Sequence, residues 1–487
     1  MISFALSLVA LIIGFLVYGR FVERVFGPDD RPTPAVTKAD GVDFIVMPTW
    51  KVFMIQFLNI AGTGPIFGAI MGAKFGPVAY LWIVFGCIFA GAVHDYMSGM
   101  LSIRHGGANL PDIIGQYLGN ATKQVMLVFS IFLLMIVGAV FVFSPAKIMG
   151  DMWEPQFFVD SFGKYAFWIF AIFVYYIIAT MLPIDKIIGK IYPLFAFSLL
   201  FMAAALMVML LLKQPDVPEI WEGLNGVEPM TAKNIFPCLF ITIACGAISG
   251  FHATQSPLMA RCLKNERLAR PVFYGAMITE GIVALIWATV AMYFFYDQPT
   301  PGYEVIAGGA AAVNDAPSVV NIMCRSWLGT LGGILALLGV VAAPITSGDT
   351  AFRSGRLIIA DFLRMEQHTI RNRLTICIPM FATAIGLLIW QMADKEGFNM
   401  IWSWFGWSNQ TLSVFTLWAI TVYLVRQQKP WLITFIPAVF MTTVCTTFLL
   451  CEQAFQMDEP WLIAAGACLL SVVWFALWYR KYIHSIK

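Results

Sequence analysis

Apolar runs of about 20 residues recur from one end of this chain to the other, each long enough to cross about 30 Å of hydrocarbon as a helix. Thirteen can be read, at 2–18, 50–72, 77–101, 124–147, 164–182, 191–212, 234–263, 271–296, 328–352, 374–392, 399–424, 430–451 and 460–480. The fold class they predict is an all-α polytopic membrane protein. Composition agrees: 60% of the 487 residues are hydrophobic and 12% charged, about half the charge of a soluble domain. No stretch reads as a soluble domain or a long linker. The net charge of +2 comes without a basic arm, so nucleic acid is not an expected partner; the lipid bilayer is. The run 2–18 has neither a basic lead-in nor a small-residue cleavage site, and reads as a first helix rather than a signal peptide. The nine cysteines lie mostly inside apolar runs without metal-ligand spacing, and read as small buried hydrophobes.

Charge in the loops orients the chain. With an external N-terminus and a cytoplasmic C-terminus, 23 of the 30 Lys and Arg residues fall on the cytoplasmic side, the positive-inside pattern. Loops 151–160, 216–228, 297–315 and 452–459 are acid-rich and fall outside. The segment 297–327 is the longest external one.

Two of the runs carry their own interruption. In the second, Asn59-Ile-Ala-Gly-Thr-Gly-Pro65 puts glycines at 62 and 64 ahead of Pro65. Proline lacks the N–H a continuous helix needs but suits a helix's first turn. The expectation is a half-helix ending near Ala61, an unwound turn, and a second half-helix from Pro65. The seventh run repeats the pattern in Gly246-Ala-Ile-Ser-Gly250-Phe-His-Ala-Thr-Gln-Ser-Pro257. Two kinked helices packed on small residues would carry similar sequence. However, five spans separate the pair, so they enter the membrane from opposite sides. Interrupted helices in matching places of two inverted units point to a transporter site at the midplane, where free carbonyls can hold a cation and half-helix N-termini an anion.

Ionisable residues inside spans are costly and either pair or face a water path. His94 and Asp95 sit in the third span; they are read either as a coupling pair, or with Asp95 in a structural pair with a basic residue such as Arg353. Glu280 stands mid-span in the eighth, and Asp349 follows Thr346 and Ser347 in the ninth. Beyond His94–Asp95 no nucleophile–base motif appears, so an enzyme is not expected, and no nucleotide-binding motif supports an ATP-driven pump. A channel or sensor is the remaining competitor.

Several motifs resemble the carbon starvation protein A (CstA) family: Asn59–Gly68, Phe89-Ala-Gly-Ala-Val-His-Asp-Tyr96 with Ser102–Gly107, Leu182–Lys186, Gly250–Pro257, Thr346–Ser354 and Phe405-Gly-Trp-Ser-Asn-Gln410. They span residues 50–425 in order. The resemblance implies a transporter of the prokaryotic plasma membrane, linked to carbon starvation and to uptake of peptides or pyruvate. It also implies kinship with the amino acid–polyamine–organocation superfamily and its LeuT-like five-plus-five inverted repeat, with first and sixth helices broken. The domains then read as an N-terminal helix and loop (1–49), a transport core (50–425, with repeats 50–212 and 234–425) and two C-terminal helices (426–487).

On that basis the substrate contacts expected are Asn59, Gly62, Thr63, Gly64, Ser249, Gly250, His252, Thr254 and Gln255, with Gln56 beside them. A carboxylate suits the N–H groups near Gly64 and a helix start at Pro257. The coupling candidates are His94, Asp95, Glu280, Thr346, Ser347 and Asp349. The carboxylates and histidine favour H+; the hydroxyls, in the place where sodium-coupled relatives hold their ion, offer the alternative of Na+ among Ala61, Gly64, Thr346 and Ser347. Against that stands the habit of membrane hydroxyls to bond back to their own helix. Asn409 and Gln410, among Trp402, Trp404 and Trp407, are candidate gate residues, although the tryptophans also suit an interfacial belt. The expected function is a secondary symporter importing peptides or pyruvate by alternating access; oligomeric state is not readable.

Overall fold

The computed structural model describes residues 1–41, 43–181, 188–223, 234–296, 316–367, 369–393 and 397–486. Among these, every regular element is helical. Eight helices are long and apolar enough to cross a membrane, and two bent pairs raise the number to ten: Thr49–Ile60 with Gly64–Phe75, at 54°, and Gln156–Phe162 with Ala166–Thr180, at 93°. The other three expected spans fall on helices outside that number. One is itself interrupted, as Ile235–Thr242 and Gly250–Ala260. The others are Ala316–Leu363 and Gly397–Arg426. The span expected at 328–352 is thus part of a 48-residue helix that bends at Gly329, whose φ of 67° is open to glycine. Of the expected external segment 297–327, residues 297–315 lie outside the described residues, as does the motif Leu182–Lys186, and 316–327 are helical.

Burial separates an outer ring from a centre. The apolar window of Pro460–Ser485 is 17% buried, that of Glu266–Phe295 83%. Lipid is as apolar as leucine, so the outer helices gain little by turning Leu462, Leu470 and Leu477 inward. The central helices pack through small residues instead. Asn120–Met152 lies along Ala316–Leu363, and Thr49–Ile60 along Gly250–Ala260 and Gly275–Tyr296.

The loop 27–48 folds over one end of this centre, and its backbone is satisfied by the turn that follows the second interrupted helix. Ile45 N–H donates to the Arg261 carbonyl (3.2 Å), Met47 N–H to Cys262 (3.1 Å) and the Thr33 hydroxyl to Leu263 (2.6 Å). Buried Glu266 accepts from the Asp29 N–H (3.2 Å) and from Arg104 (3.0 Å). At the exposed rim the Arg267 guanidinium donates twice to Asp30 and holds that carboxyl below its usual range.

Candidate functional site

The first interruption lies where the glycines and proline put it. The half-helix ends at Ile60, Ala61 leaves helical geometry (ψ 53°), and the chain resumes as helix at Gly64–Pro65. The second differs from expectation. It lies at 243–249, the helix restarts at Gly250, and Pro257 sits inside the second half rather than opening it. The reason is a cap from another helix. The Asn409 side-chain oxygen accepts from the Phe251 N–H (2.7 Å) and the Ser249 hydroxyl (2.9 Å), taking up a donor the new helix leaves free. Gln410 donates to the Phe240 carbonyl (3.0 Å) in the preceding half-helix. Asn409 and Gln410, read from sequence as a gate, are fully buried and clamp both sides of this break. Gly250 is needed for the same contact: a Cβ there would collide with the Asn409 carbonyl and the Ser413 N–H.

The two interruptions touch. A Cβ on Gly64 would strike Cys245, in the middle of the second break, and one on Gly62 would strike the Phe141 ring and approach the Ser347 hydroxyl. Around this crossing Gln56, Asn59 and Thr63 are buried, and their side-chain polar atoms have no hydrogen-bond partner among the described residues. The Gln255 oxygen is likewise unpartnered, while its amide donates to Thr254 (2.8 Å), whose own hydroxyl donates to the Phe251 carbonyl. Buried polar groups without partners are rare, and each calls for an explanation. Phe141 stands edge-on to both Phe251 and Phe405, and Trp402 touches Phe405 and Phe67. These rings form an aromatic partition beside the crossing that sequence reading missed; among 41 phenylalanines nothing marks them.

Beside the crossing runs a line of four ionisable side chains, all buried. Asp95 takes one histidine on each oxygen: His94 Nδ1 at 2.8 Å and His252 Nδ1 at 2.8 Å. His252 Nε2 then lies 3.4 Å from the Glu280 carboxylate. Arg353, the structural partner considered for Asp95, instead faces Asp43 (3.5 Å) and the Ala179 carbonyl (2.8 Å). With Asp95 ionised and the rings neutral, both Nδ1 atoms carry hydrogen and both Nε2 atoms are acceptors. The second half-helix thereby joins Ala92–Arg104 to Gly275–Tyr296 through groups that can hold and hand on a proton.

The ninth-span candidates divide. The Thr346 hydroxyl bonds back to the Ala342 and Ala343 carbonyls, the self-satisfied arrangement weighed against an ion-binding role. The Ser347 hydroxyl reaches the Leu58 carbonyl at the end of the first half-helix (3.0 Å). Asp349 accepts from the Tyr192 hydroxyl, on the helix Ile188–Lys213, and forms no part of the histidine line.

One further group was illegible in sequence. Cys245, His252 and Glu280 place a sulfur, a nitrogen and an oxygen within 4.8 Å of one another, all buried.

Known proteins resemble the chain in sequence and in fold. The family described as carbon starvation protein CstA matches residues 1–159, 146–331 and 298–448. An uncharacterized membrane protein of Haemophilus influenzae is 44% identical over 355 residues, covering 64% of this chain and 95% of its own. The peptide transporter CstA of Escherichia coli is 24% identical and matches 93% of this chain and 81% of its own. The pyruvate/proton symporter BtsT of the same organism is 25% identical over 88% and 78%. Among solved structures, a mutant of the manganese transporter of Eremococcus coleocola superposes with a TM-score of 0.57 over 91% of this chain and 99% of its own, at 12% identity, a likeness of fold alone. A multi-pass helical protein of this fold, with transporters for relatives, is in class a membrane transporter. More particularly, the chain belongs to the carbon starvation protein CstA family.

Proposed function

We propose that the chain is a secondary active transporter, a proton-coupled symporter that imports peptides or pyruvate across the plasma membrane when carbon is scarce. The observation that carries this reading is the crossing of the two interruptions at Gly64 and Cys245, with Gln56, Asn59 and Thr63 buried unpartnered beside it. A carboxylated solute supplies what such groups lack: acceptor oxygens for the Asn59 and Gln56 amides and for free N–H groups at the half-helix starts, Gly64 and Gly250. The other substrate contacts are Gly62, Thr63, Ser249, His252, Thr254 and Gln255. The relatives named for peptide transport and for pyruvate/proton symport support both cargo and coupling.

In this reading thirteen spans are present, the N-terminus is external, and residues 50–425 form a LeuT-like core of two inverted repeats, 50–212 and 234–425. That core would join the chain to the amino acid–polyamine–organocation superfamily. Residues 1–49 and 426–487 flank it. The line His94–Asp95–His252–Glu280 carries the proton; Asp349, paired with Tyr192, is a lesser candidate. Sodium is the alternative ion. Its support is the Ser347 hydroxyl beside the unwound Ala61–Gly64 turn, and the back-bonded Thr346 weakens it.

Purified protein in liposomes, supplied with labelled pyruvate or dipeptide under an imposed proton or sodium gradient, tests the assignment. The expected result is uptake driven by an inward proton gradient. Indifference to both gradients would remove the symport reading.

A further inference from the structure

We infer that Cys245, His252 and Glu280 form a binding site for a single borderline-soft divalent cation, of the zinc class, at the crossing of the two interrupted helices. Thiolate, imidazole and carboxylate are the donors such an ion takes, with a fourth position left open.

Three observations point the same way. First, the three donor atoms lie within 4.8 Å of one another although they come from separate pieces of the chain: the unwound stretch 243–249, the half-helix Gly250–Ala260 and the helix Gly275–Tyr296. With metal–ligand bonds of about 2.0–2.3 Å, neighbouring donors on a tetrahedral ion sit roughly 3.4–3.6 Å apart. His252 Nε2 and the Glu280 oxygen, at 3.4 Å, already have that spacing; only the sulfur has to close in.

Second, the acceptor atoms concerned are free for the task. His252 Nε2 and both Glu280 oxygens are buried without a hydrogen-bond partner among the described residues. Third, the ring is held for metal binding by its other nitrogen. Asp95 fixes His252 Nδ1 at 2.8 Å, the carboxylate–histidine arrangement that orients an imidazole and sharpens its basicity toward a metal. His94, on the other Asp95 oxygen, braces the carboxylate in turn.

Packing does not account for the thiol. Its contact with Gly64 asks only for a small side chain, which alanine or serine would supply. Its sulfur donates to the Ser249 hydroxyl (3.6 Å) and accepts from the Asn409 amide (3.5 Å); a bound ion takes the thiolate, so the first contact is given up with the proton and the second is kept.

The site deepens the transport reading and rests on it for access, because an ion reaches these buried atoms only when the path opens. Occupied, it would fasten the second interruption to the helix Gly275–Tyr296 and displace the proton from the histidine line, so zinc is an inhibitor of uptake.

The test is made on purified full-length protein. Zn2+ binding is followed by calorimetry and metal analysis, and Co2+ is used as an optical probe whose thiolate-to-metal absorption reports the cysteine. Expected are one Zn2+ per chain, no competition by Mg2+, a thiolate band with Co2+ that Zn2+ removes, and loss of that band in Cys245→Ser. Glu280→Gln should weaken binding at least tenfold, Asp95→Asn by about 10–100-fold, and Cys87→Ser, outside the donor set, not at all. Thermal melting without metal shows which variants are folded. If a variant fails to fold, the Co2+ spectrum of the unaltered chain decides. Absence of stoichiometric Zn2+ binding, absence of the thiolate band, or folded Cys245→Ser and Glu280→Gln proteins that bind as tightly as the parent would overturn the proposal. Binding is read without any gradient, so a chain that binds zinc but moves no carboxylate sinks the transport reading alone. One that transports but binds no zinc sinks only this site.

Discussion

Replacing Asn409 with alanine removes a side chain that caps the restart of the second interrupted helix. Two donors lose their acceptor, the Phe251 N–H at 2.7 Å and the Ser249 hydroxyl at 2.9 Å, both buried. Each buried donor left unsatisfied costs about 1–3 kcal/mol, and capping residues replaced by alanine lose about 0.5–2 kcal/mol. Two donors at the low end of the first range give a combined local loss of about 2 kcal/mol, which is the upper end of the second. It falls on the opening of residues 243–250 rather than on the whole fold, because the rest of Gly250–Ala260 stays packed against Ala92–Arg104 and Thr49–Ile60. Cys245 reports that opening, being buried in the break with its sulfur near Asn409. In a background where Cys245 is the only cysteine, labelling by a membrane-permeant maleimide proceeds through the open state. Since about 1.4 kcal/mol is a factor of ten, Asn409→Ala should label roughly 30-fold faster than the parent. Asn409→Asp, which keeps an acceptor oxygen at a helix start, should stay near the parental rate. A rate for Asn409→Ala within twofold of the parent, or an equal acceleration in Asn409→Asp, would refute the capping argument.

Other substitutions follow from the same contacts. Gly64→Ala should destabilise by about 1–3 kcal/mol through overpacking on Cys245, and Cys245→Gly in the same chain should recover at least half of the loss in a thermal melt. Asp95→Asn removes the carboxylate shared by His94 and His252; gradient-driven uptake should fall at least tenfold, while substrate binding, read by thermal shift, persists. Glu266→Gln should destabilise the closed loop 27–48 by about 3 kcal/mol, since it leaves Arg104 without its buried partner. Faster proteolysis within that loop would show it, and unchanged proteolysis would argue against the loop's dependence on Glu266.

Much of this was legible in the chain because local chemistry dictated it. Apolar length gave the helices, and Gly-Thr-Gly-Pro gave the first break because the proline can only open a helix there. At the second break the same signals misled. Gly250 serves a close approach to Gly397–Arg426, Pro257 rides inside a helix, and the unwinding falls on the nearly apolar Ile243-Ala-Cys-Gly-Ala-Ile248. What restarts the helix at Gly250 is Asn409, far along the sequence. The pairing of Asp95 with His252 was hidden for the same reason, since 157 residues separate them. The neighbouring His94 drew attention to Asp95, but no spacing rule joins either to Glu280. Cys245 was passed over because a cysteine inside an apolar run looks like a small hydrophobe until its neighbours in space are known.

The central claim is that a carboxylated solute and a proton cross together through this centre. A pH-sensitive dye inside proteoliposomes, with no gradient imposed, measures it most directly. Adding pyruvate or dipeptide outside should acidify the lumen in proportion to the solute taken up, and Glu280→Gln should take up less and acidify less. Solute uptake with no change in lumenal pH, at rates the dye resolves, would contradict the account.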